Sequence, residues 1–408
     1  MLFHQTDFHE KATIGKSDFT SSACRRSKLR RCPVEDRGGL RPTALKMAMA
    51  TYRPRTSPRC PHRPPIRIRE EDRCVRAHRS SESWGRSQTH AGGDMNVVGV
   101  DVGATKIAAG VISPEGKVLS RARYPTARTP EKLLSGIARA VSEVRDGFEV
   151  RGVCVAVPGL LLAQEDMVAY SPNLHAIEGV RLRDELEPEM GLPLTIENDN
   201  NAAAWGEFRF GAGRGAEHLV FVGLGTGIGG GAVVDGQLLR GAQGAAGELG
   251  HVTVQPTGPR CACGNRGCLE AFASGSAIGR RAREVAAEKS WSSLGRLAAE
   301  REVLGEDATR LAREGDAAAL SVLEEAGRWL GIGLAGFVNV FNPDVVVVGG
   351  GAMGAGELML GPAREEVRLR SRSPSRDLVE VREAALGPDS GAIGAAALAK
   401  GTSGEFLL

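Results

Sequence analysis

The chain has 408 residues, of which 25% are charged and 42% are hydrophobic, a composition typical of globular proteins and sufficient for two or three domains. Its net charge of +3 combines a strongly basic segment, residues 1–94, with a remainder that carries a net charge of −7. These values exclude a chain that is disordered throughout, and the longest charge-free apolar stretches, Leu219–Val234 and Trp329–Pro343, are too short to form transmembrane helices.

Residues 1–94 are rich in Arg, Pro, Ser and His and lack the apolar periodicity of a strand or a helix. We interpret them as a non-globular extension. They contain no apolar core for a secretory signal, and the acidic run Glu70-Glu71-Asp72 argues against a transit peptide. They also lack a helix-turn-helix pattern, so we expect no nucleic-acid partner. Because Met95 directly precedes the first clear strand, we expect it to be the natural start, with the extension arising from an upstream start codon.

From Val97 onward, short runs rich in Val and Ile alternate with longer stretches of helical period, which predicts an α/β fold. Glycine, with 54 residues, is nearly twice as frequent as in average proteins, so tight turns are expected between these elements. The predicted elements are strands at Val97–Val102, Lys106–Ile112, from about Val118, Val150–Val157, Leu194–Asn198 and Val345–Val348, and a helix over roughly Pro130–Asp146.

An internal repeat predicts two similar lobes. The segment VVGVDVGATKIAAGVI, residues 97–112, aligns with LVFVGLGTGIGGGAVV, residues 219–234, at a constant offset of 122 residues. Each copy is a strand, a glycine turn and a second strand, and such turns present backbone amides to an anion. A Walker A motif does not occur, and the GxGxxG match at Gly225 leads into a strand instead of a helix. Two such hairpins predict a nucleotide site between two lobes.

The two turns differ in chemistry. The first combines the Asp101 carboxylate, suited to water-mediated Mg²⁺, with the Thr105 hydroxyl and the Lys106 ammonium. The second has no charge and offers backbone amides and the Thr226 hydroxyl. A third glycine cluster, Gly349-Gly350-Gly351, follows a predicted strand, where a base or ribose could approach the main chain.

The acidic cluster Glu197-Asn198-Asp199-Asn200-Asn201 lies between a buried strand and a helix expected to begin near Ala202. Either Asp199 or Asn201 could cap that helix. In the functional interpretation, Asp199 is a general base that takes the proton of a substrate hydroxyl while this oxygen attacks a γ-phosphate. Its neighbours would bind other hydroxyls of the same substrate.

Three cysteines near one histidine predict a metal site. His251, Cys261, Cys263 and Cys268 form a Cys₃His set suited to tetrahedral Zn²⁺, and Gly264 and Gly267 allow the loop between the ligands to turn tightly. Without an export signal we expect a cytoplasmic protein, in which clustered thiols indicate metal binding instead of disulfides. Because protein fills all four positions, the predicted zinc is structural. Cys154, in an apolar run, is interpreted as a buried, inert thiol.

Two carboxylates flank this cluster. Glu248 precedes His251 by three residues, and Glu270 follows the last cysteine by two. Two carboxylates and an imidazole suit a neutral, polyhydroxylated ligand, although both carboxylates could instead be solvated or support the metal ligands. Asn198 and Asp199 would complete a sugar site.

In this order, the motifs DVGATK, AVPG, ENDNNAAAWGE, LGTGIGGG, GELGH and CACGNRGCLE resemble the ROK family (repressors, open reading frames and sugar kinases), especially its zinc-containing bacterial glucokinases. The resemblance covers Met95 to about Lys400. It implies an actin-like, ribonuclease H-like two-lobed ATPase and sugar kinase fold with a structural zinc site, using ATP and Mg²⁺. The expected domains are the extension 1–94, an N-terminal lobe 95–205 completed by a helix at 389–400, and a C-terminal lobe 206–388 with the zinc motif.

The resemblance implies a role for each matching residue, with Asp199 as the base on the C6 hydroxyl of the sugar. The sugar site would comprise Gly159, Asn173, Asn198, Asp199, Glu248, His251 and Glu270. The ATP site would comprise Asp101, Gly103, Ala104, Thr105, Lys106, Gly225, Thr226, Gly227, Gly349, Gly350 and Gly351. Zinc would bind His251, Cys261, Cys263 and Cys268.

The predicted activity is ATP-dependent phosphorylation of glucose to glucose 6-phosphate by a homodimer or homotetramer without membrane association. Two departures from the family pattern are Ala104, in place of a second glycine, and Ala176-Ile177, where many relatives have Trp. The second departure leaves the identity of the sugar open, with fructose, N-acetylmannosamine and N-acetylglucosamine as alternative substrates. A polyphosphate-dependent glucokinase is a further alternative, but such enzymes usually lack the cysteine cluster, so ATP is the expected donor. A sugar-responsive repressor of the same fold is disfavoured, because residues 1–94 do not resemble a winged helix and Asp199 is present.

Overall fold

The computed structural model describes residues 96–162, 166–401, 404 and 406–408. The interpretations of the basic extension and of Met95 therefore lie outside the described residues. The strands are β1 Asn96–Val102, β2 Lys106–Ile112, β3 Val118–Pro125, β4 Val150–Val157, β5 Leu160–Leu162, β6 Met167–Tyr170, β7 Leu194–Asn198, β8 Leu219–Leu224, β9 Ile228–Val234, β10 Gln237–Leu238, β11 Val345–Gly349 and β12 Glu380–Glu383. The α-helices are α1 Pro130–Val144, α2 Leu182–Met190, α3 Asp199–Phe210, α4 Glu270–Ala273, α5 Gly275–Glu288, α6 Ser293–Glu300, α7 Gly305–Arg313, α8 Ala317–Phe341, α9 Glu357–Arg370, α10 Ser375–Leu378 and α11 Ser390–Leu398.

Ten of these strands form two five-stranded sheets of the same design, with orders β3-β2-β1-β4-β7 and β10-β9-β8-β11-β12, and β5 and β6 form a separate antiparallel pair. In the first sheet, β1 is antiparallel to its hairpin partner β2 and parallel to β4. In the second, β8 is antiparallel to β9 and parallel to β11. The predicted repeat is confirmed, because each copy forms the central hairpin of one sheet.

The alternation of side chains along β8 shows how the layers are built. Leu219 and Phe221 point into a core shared with β1, α3 and α11, whereas Val220 and Val222 point into a separate core formed with α5 to α9. This two-residue period is the pattern of a sheet covered on both faces. Helices α3 and α11 therefore lie between the two sheets, with α11 against β1 and α3 against β8 and β9.

The two central helices cross at small residues. A Cβ atom on Gly206 would lie 2.9 Å from the Cα atom of Gly394, and one on Gly394 would lie 1.8 Å from the Ala202 carbonyl oxygen. The Trp205 indole donates a hydrogen bond of 3.0 Å to the Ala397 carbonyl. Helix α11 thus completes the layer beside the first sheet, although Trp205 and Ala397 are 192 positions apart in sequence.

The outer faces of the sheets are covered by the remaining helices. The predicted helix at Pro130–Asp146 is confirmed as α1, which ends at Val144, two residues earlier than expected, with Arg145 as its C-cap. Its buried face packs against β2 and β3. Among the described helices, none has the length and hydropathy needed to cross a membrane.

Candidate functional site

Several of the predicted site residues lie at the carboxyl ends of parallel strands. Asp101 is the last but one residue of β1, and Asp199 directly follows β7. The glycine turn of the second hairpin follows β8, and the third glycine cluster follows β11. Ligands of open α/β sheets bind at such strand ends. The two carboxylates are close enough for the charge of Asp101 to influence Asp199.

The helix that carries Asp199 is capped by Asn198. Its Oδ1 atom accepts hydrogen bonds from the backbone N–H groups of Asn200, at 2.9 Å, and Asn201, at 3.1 Å. The prediction that Asp199 or Asn201 caps the helix is therefore wrong, and the helix begins three residues before Ala202. The reason is that Asn198, the last residue of the strand, keeps an extended backbone conformation, which is the conformation of an N-cap residue.

Asp199 is held in a state suited to proton transfer near neutral pH. Burial raises its pKa to about 7, and the neighbouring charge of Asp101 acts in the same direction. Hydrogen bonds from the backbone N–H and the Nδ2 atom of Asn200, both 2.9 Å long, oppose this shift. Both bonds go to Oδ1. A carboxylate with a pKa near the working pH is an effective general base.

This pKa has a consequence for stability. Since the folded pKa of Asp199 is raised from 3.8 to about 7, the folded state binds its proton more tightly than the unfolded state does. The contribution of this proton to the free energy of unfolding is fully present below pH 4 and is lost as the pH rises through 7. We expect D199N, which cannot ionise, to unfold less readily than the native chain at pH 8, by about 2–4 kcal/mol.

The stability difference between D199N and the native chain should shrink as the pH falls from 8 to 4. Urea unfolding of both proteins at several pH values measures it. A difference that stays constant across this range would contradict the raised pKa.

The first hairpin turn keeps its tip accessible. The Gly103 N–H donates to the Lys106 carbonyl at 2.8 Å, while Thr105 and Lys106 are exposed. Burial raises the pKa of Asp101, and the Lys106 ammonium partly offsets this effect. The replacement of glycine by Ala104 causes no backbone strain, because the described non-glycine residues with positive φ do not include it.

The second hairpin turn is joined by two neighbours. The Gly225 carbonyl accepts a hydrogen bond of 2.8 Å from the N–H of Gly275, the first residue of α5. Gly350, with a φ of +95°, lies so close that a Cβ atom on it would be 2.4 Å from the Leu224 carbonyl oxygen. The turn, the third glycine cluster and the amino end of α5 therefore converge, which is an arrangement suited to phosphates. The sequence interpretation missed α5, although Ser274, its N-cap, is a recognisable signal.

Three of the predicted sugar residues, Gly159, Asn173 and Asn198, lie on neighbouring segments. Asn198 donates from Nδ2 to the Gly159 carbonyl at 3.1 Å, so these two residues are together beside Asp199. Asn173 lies on an exposed turn after β6, where its carbonyl accepts a long hydrogen bond of 3.5 Å from Arg128. Asn173 is two residues from Ser171, whose Cα atom would lie 3.0 Å from a Cβ atom on Gly159, so its exposed turn borders the same region.

A buried ion pair missed by the sequence interpretation supports this region. Glu197 is 4% exposed, and its Oε2 atom accepts a hydrogen bond of 2.7 Å from Nε of Arg240, whose Nη2 atom lies 2.7 Å from the same oxygen. It also accepts from Nδ2 of Asn201 at 3.0 Å. The pair joins the end of β7 to the loop after β10. A glutamate at the end of a buried strand was a signal, but nothing local identified Arg240 as its partner.

The four predicted metal ligands come together. Their donor atoms all lie within 4.8 Å of one another, with 3.7 Å between the Cys263 and Cys268 sulfurs and 3.7 Å between the Cys261 sulfur and His251 Nδ1. For zinc–sulfur bonds of about 2.3 Å, the edge of a tetrahedron is about 3.8 Å. The donor set and its spacing therefore fit a tetrahedral Zn²⁺ ion.

The glycines between the ligands have the predicted role. Gly264 and Gly267 have φ values of +92° and +71°. A Cβ atom on Gly267 would also lie 1.6 Å from the Gln255 carbonyl oxygen. This loop conformation thus requires glycine at position 267 for two independent reasons.

The carboxylates beside the cysteine cluster connect it with the second hairpin. Glu270 accepts a hydrogen bond of 2.9 Å from the Ile228 N–H, and its other oxygen lies 3.3 Å from the Cys261 sulfur. Glu248 lies 3.8 Å from His251 Nε2, and burial raises its pKa. The His251 ring therefore directs Nδ1 to the thiols and Nε2 to Glu248, as expected for a residue that joins a metal site to a ligand site.

Comparisons with known proteins agree with these features. The model of the ROK family matches residues 97–402. A glucokinase of Streptomyces coelicolor is 39% identical over 308 residues, which cover 74% of this chain and 97% of the relative. A xylose repressor of Bacillus subtilis is 31% identical over 303 residues, covering 73% of this chain and 75% of the repressor.

Among solved structures, a ROK family glucokinase from Streptomyces griseus in complex with glucose and AMPPNP has a TM-score of 0.66 and 38% sequence identity. The match covers 74% of this chain and 99% of the other. The predicted actin-like α/β fold is thereby confirmed, with its two related sheets and the hairpin at the centre of each. Family match, identity and fold together show that the chain belongs to the ROK family.

Proposed function

We propose that this chain is an ATP-dependent glucokinase that transfers the γ-phosphoryl group of ATP to the C6 hydroxyl of glucose. Within the family, the enzyme class is that of the ATP-dependent sugar kinases. The observation that carries the proposal is the position of Asp199. Its pKa is about 7, and it directly follows β7, at the same edge of the sheet as Asp101, whose charge contributes to this pKa.

The proposed reaction requires one proton acceptor. Asp199 takes the proton of the sugar hydroxyl while the hydroxyl oxygen forms a bond to the γ-phosphorus. The bond between this phosphorus and the β–γ bridging oxygen breaks, and its electron pair stays on ADP. Protein groups contribute mainly by positioning and by stabilising charge, because phosphoryl transfer involves little covalent chemistry with the enzyme.

The glycine turns would hold the phosphates of ATP. The exposed tips at Thr105 and Thr226 offer hydroxyl and backbone N–H groups, and the amino end of α5 adds the positive end of a helix dipole. The Lys106 ammonium partly offsets the rise in the pKa of Asp101 and so favours its ionised form. The Asp101 carboxylate suits the hydrated Mg²⁺ that such kinases use to neutralise phosphate charge. The ATP contacts at Gly103, Ala104, Gly225, Gly227 and Gly349 to Gly351 remain predictions.

The proposed sugar site joins both sheets. Asn198 and Gly159 contribute from the first sheet, and Glu248, His251 and Glu270 contribute from the segment around the cysteine cluster. Zn²⁺ in that cluster would fix the loop in place without taking part in the reaction, since four protein ligands complete its coordination. The resemblance adds Asn173, which requires its exposed turn to approach the sugar.

A repressor is the second candidate, because the xylose repressor matches most of this chain. Against it stands the retained carboxylate Asp199 with its pKa near neutrality. A repressor needs a sugar site but no base, whereas a kinase needs both. The alternatives within the enzyme class are other hexoses, such as fructose or the N-acetylated hexosamines.

A coupled assay of ADP formation by the purified protein tests the proposal. It compares glucose, mannose, fructose, N-acetylglucosamine and N-acetylmannosamine with ATP as donor. Because polyphosphate releases no ADP, NMR measurement of the sugar phosphate follows the reaction with either donor and identifies the product. We expect glucose with ATP to give the highest kcat/KM and glucose 6-phosphate as product. Preference for another hexose would correct the substrate alone. Sugar binding without turnover would favour the repressor.

A further inference from the structure

Glu207 is a fully buried glutamate that the proposed reaction does not use. It lies on α3, eight residues after Asp199, and has 0% exposure. Its carboxylate accepts three backbone hydrogen bonds. Oε2 accepts from Ala212 at 2.8 Å and from Ala385 at 3.0 Å, and Oε1 accepts from Leu386 at 2.9 Å.

These three donors belong to two segments with a shared topological role. In the described residues, the chain passes from the first sheet to the second through α3 and residues 211–218, and it returns through residues 384–389 to α11. Ala212 lies on the outgoing connection, and Ala385 and Leu386 lie on the returning one. A single carboxylate therefore fastens both connections between the two sheets.

Neighbouring contacts reinforce this junction. A Cβ atom on Gly211 would lie 2.0 Å from Glu207 Oε2, so glycine at position 211 allows the outgoing connection to pass directly over the carboxylate. Arg382, on β12, donates from Nη1 to the Ala212 carbonyl at 2.7 Å. Both polar groups of Ala212 are thus bonded, one to α3 and the other to the edge of the second sheet.

The proposed site is divided between the same two sheets. Asp101 lies near the end of β1 and Asp199 follows β7, both in the first sheet, whereas the second glycine turn follows a strand of the second. The alignment of the base with the phosphates therefore depends on how the two connections hold the sheets. We propose that Glu207 is a positioning residue that fixes this alignment. This inference rests on the proposed kinase function, because alignment matters only if the two halves act on one reaction.

The variant E207Q tests the inference. Glutamine keeps the size of the side chain but has one acceptor oxygen, and its amide N–H groups would face a backbone N–H donor. E383Q is the matched control, because Glu383 is exposed at the end of β12, next to the returning connection. E207D keeps both acceptors on a shorter side chain and serves as the conservative variant.

We expect E207Q to lower kcat by about 10- to 100-fold, because a displacement of about 1 Å between reacting groups has this effect. We also expect KM for the sugar to change with it. Hydrogen exchange should be faster at 211–218 and 384–389 and unchanged in α8. E383Q should match the native chain in both measurements, and E207D should recover part of kcat.

Three outcomes separate the possibilities. If the native chain is an active kinase and the folded E207Q variant has the same kcat, the positioning role is overturned. Faster exchange throughout the protein with native kcat at low temperature would show a role in stability alone, which also overturns it. If the native chain has no kinase activity, the proposed function fails, while local exchange at the two connections still reports whether Glu207 fastens them.

Discussion

The variant D199N is expected to lose most of its turnover, with kcat reduced by about 10²- to 10⁴-fold, the usual contribution of a general base. Asparagine preserves the shape of the side chain and can accept the hydrogen bonds from Asn200 to Oδ1, but it cannot take up a proton. The position directly after β7 and the cap by Asn198 are unaffected. The change therefore removes proton transfer and little else.

Sugar binding distinguishes loss of chemistry from loss of the site. We expect the dissociation constant of D199N for glucose, measured by calorimetry, to remain within about tenfold of the native value, since one neutral hydrogen bond contributes about 0.5–1.5 kcal/mol. D235N is the matched control. Asp235 is an exposed aspartate with a φ of +51° that asparagine also adopts readily. Near-native kcat in D199N would remove Asp199 from the role of base.

The pH dependence of the native enzyme provides a second test of the same residue. Since Asp199 acts in its ionised form, kcat/KM should fall below pH 7 and approach a tenfold decrease per pH unit. The D199N variant should lack this acidic limb in its residual activity. A native profile that is flat from pH 5 to 8 would mean that another group, or no group, accepts the proton.

Local sequence patterns were sufficient for the two hairpins and the metal ligands. The repeat at 97–112 and 219–234 predicted strand and turn positions, because each copy contains its apolar strands and its glycine turn within 16 consecutive residues. His251 and the three cysteines were predicted because donor type and spacing specify a tetrahedral site. In both cases the information lies close together in the chain.

Contacts between distant segments were not predictable in the same way. Glu207 bonds to residues 178 and 179 positions away, and Glu197 bonds to Arg240, 43 positions away. A buried carboxylate requires partners, but the sequence alone does not identify them. The cap was missed for a local reason, because Asn198 serves both as the end of a strand and as the start of a helix, and the pattern assigned it only to the strand.

Replacing Cys268 by alanine is expected to remove the metal and, with it, the sugar site. Cys268 is fully buried, and its sulfur lies 3.7 Å from that of Cys263. Loss of one thiolate leaves three ligands, and we expect zinc affinity to fall by more than about 100-fold, because loss of even an outer partner costs about 10- to 100-fold. Zinc analysis of the purified protein should change from one ion per chain to almost none.

The effect should extend to the sugar through His251 and Glu270, which join the metal ligands to Glu248 and to the second hairpin. We expect glucose affinity to fall by about tenfold or more and the loop at 253–268 to become sensitive to proteolysis. C154A is the control, because Cys154 is also a fully buried thiol but lies in the core between the sheets, away from the cluster. Alanine at position 154 leaves a small cavity that lowers stability without altering zinc content.

If C268A kept native zinc content, the ion would have to be held elsewhere. If C268A lost zinc yet bound glucose normally, the cysteine cluster would be independent of the sugar site.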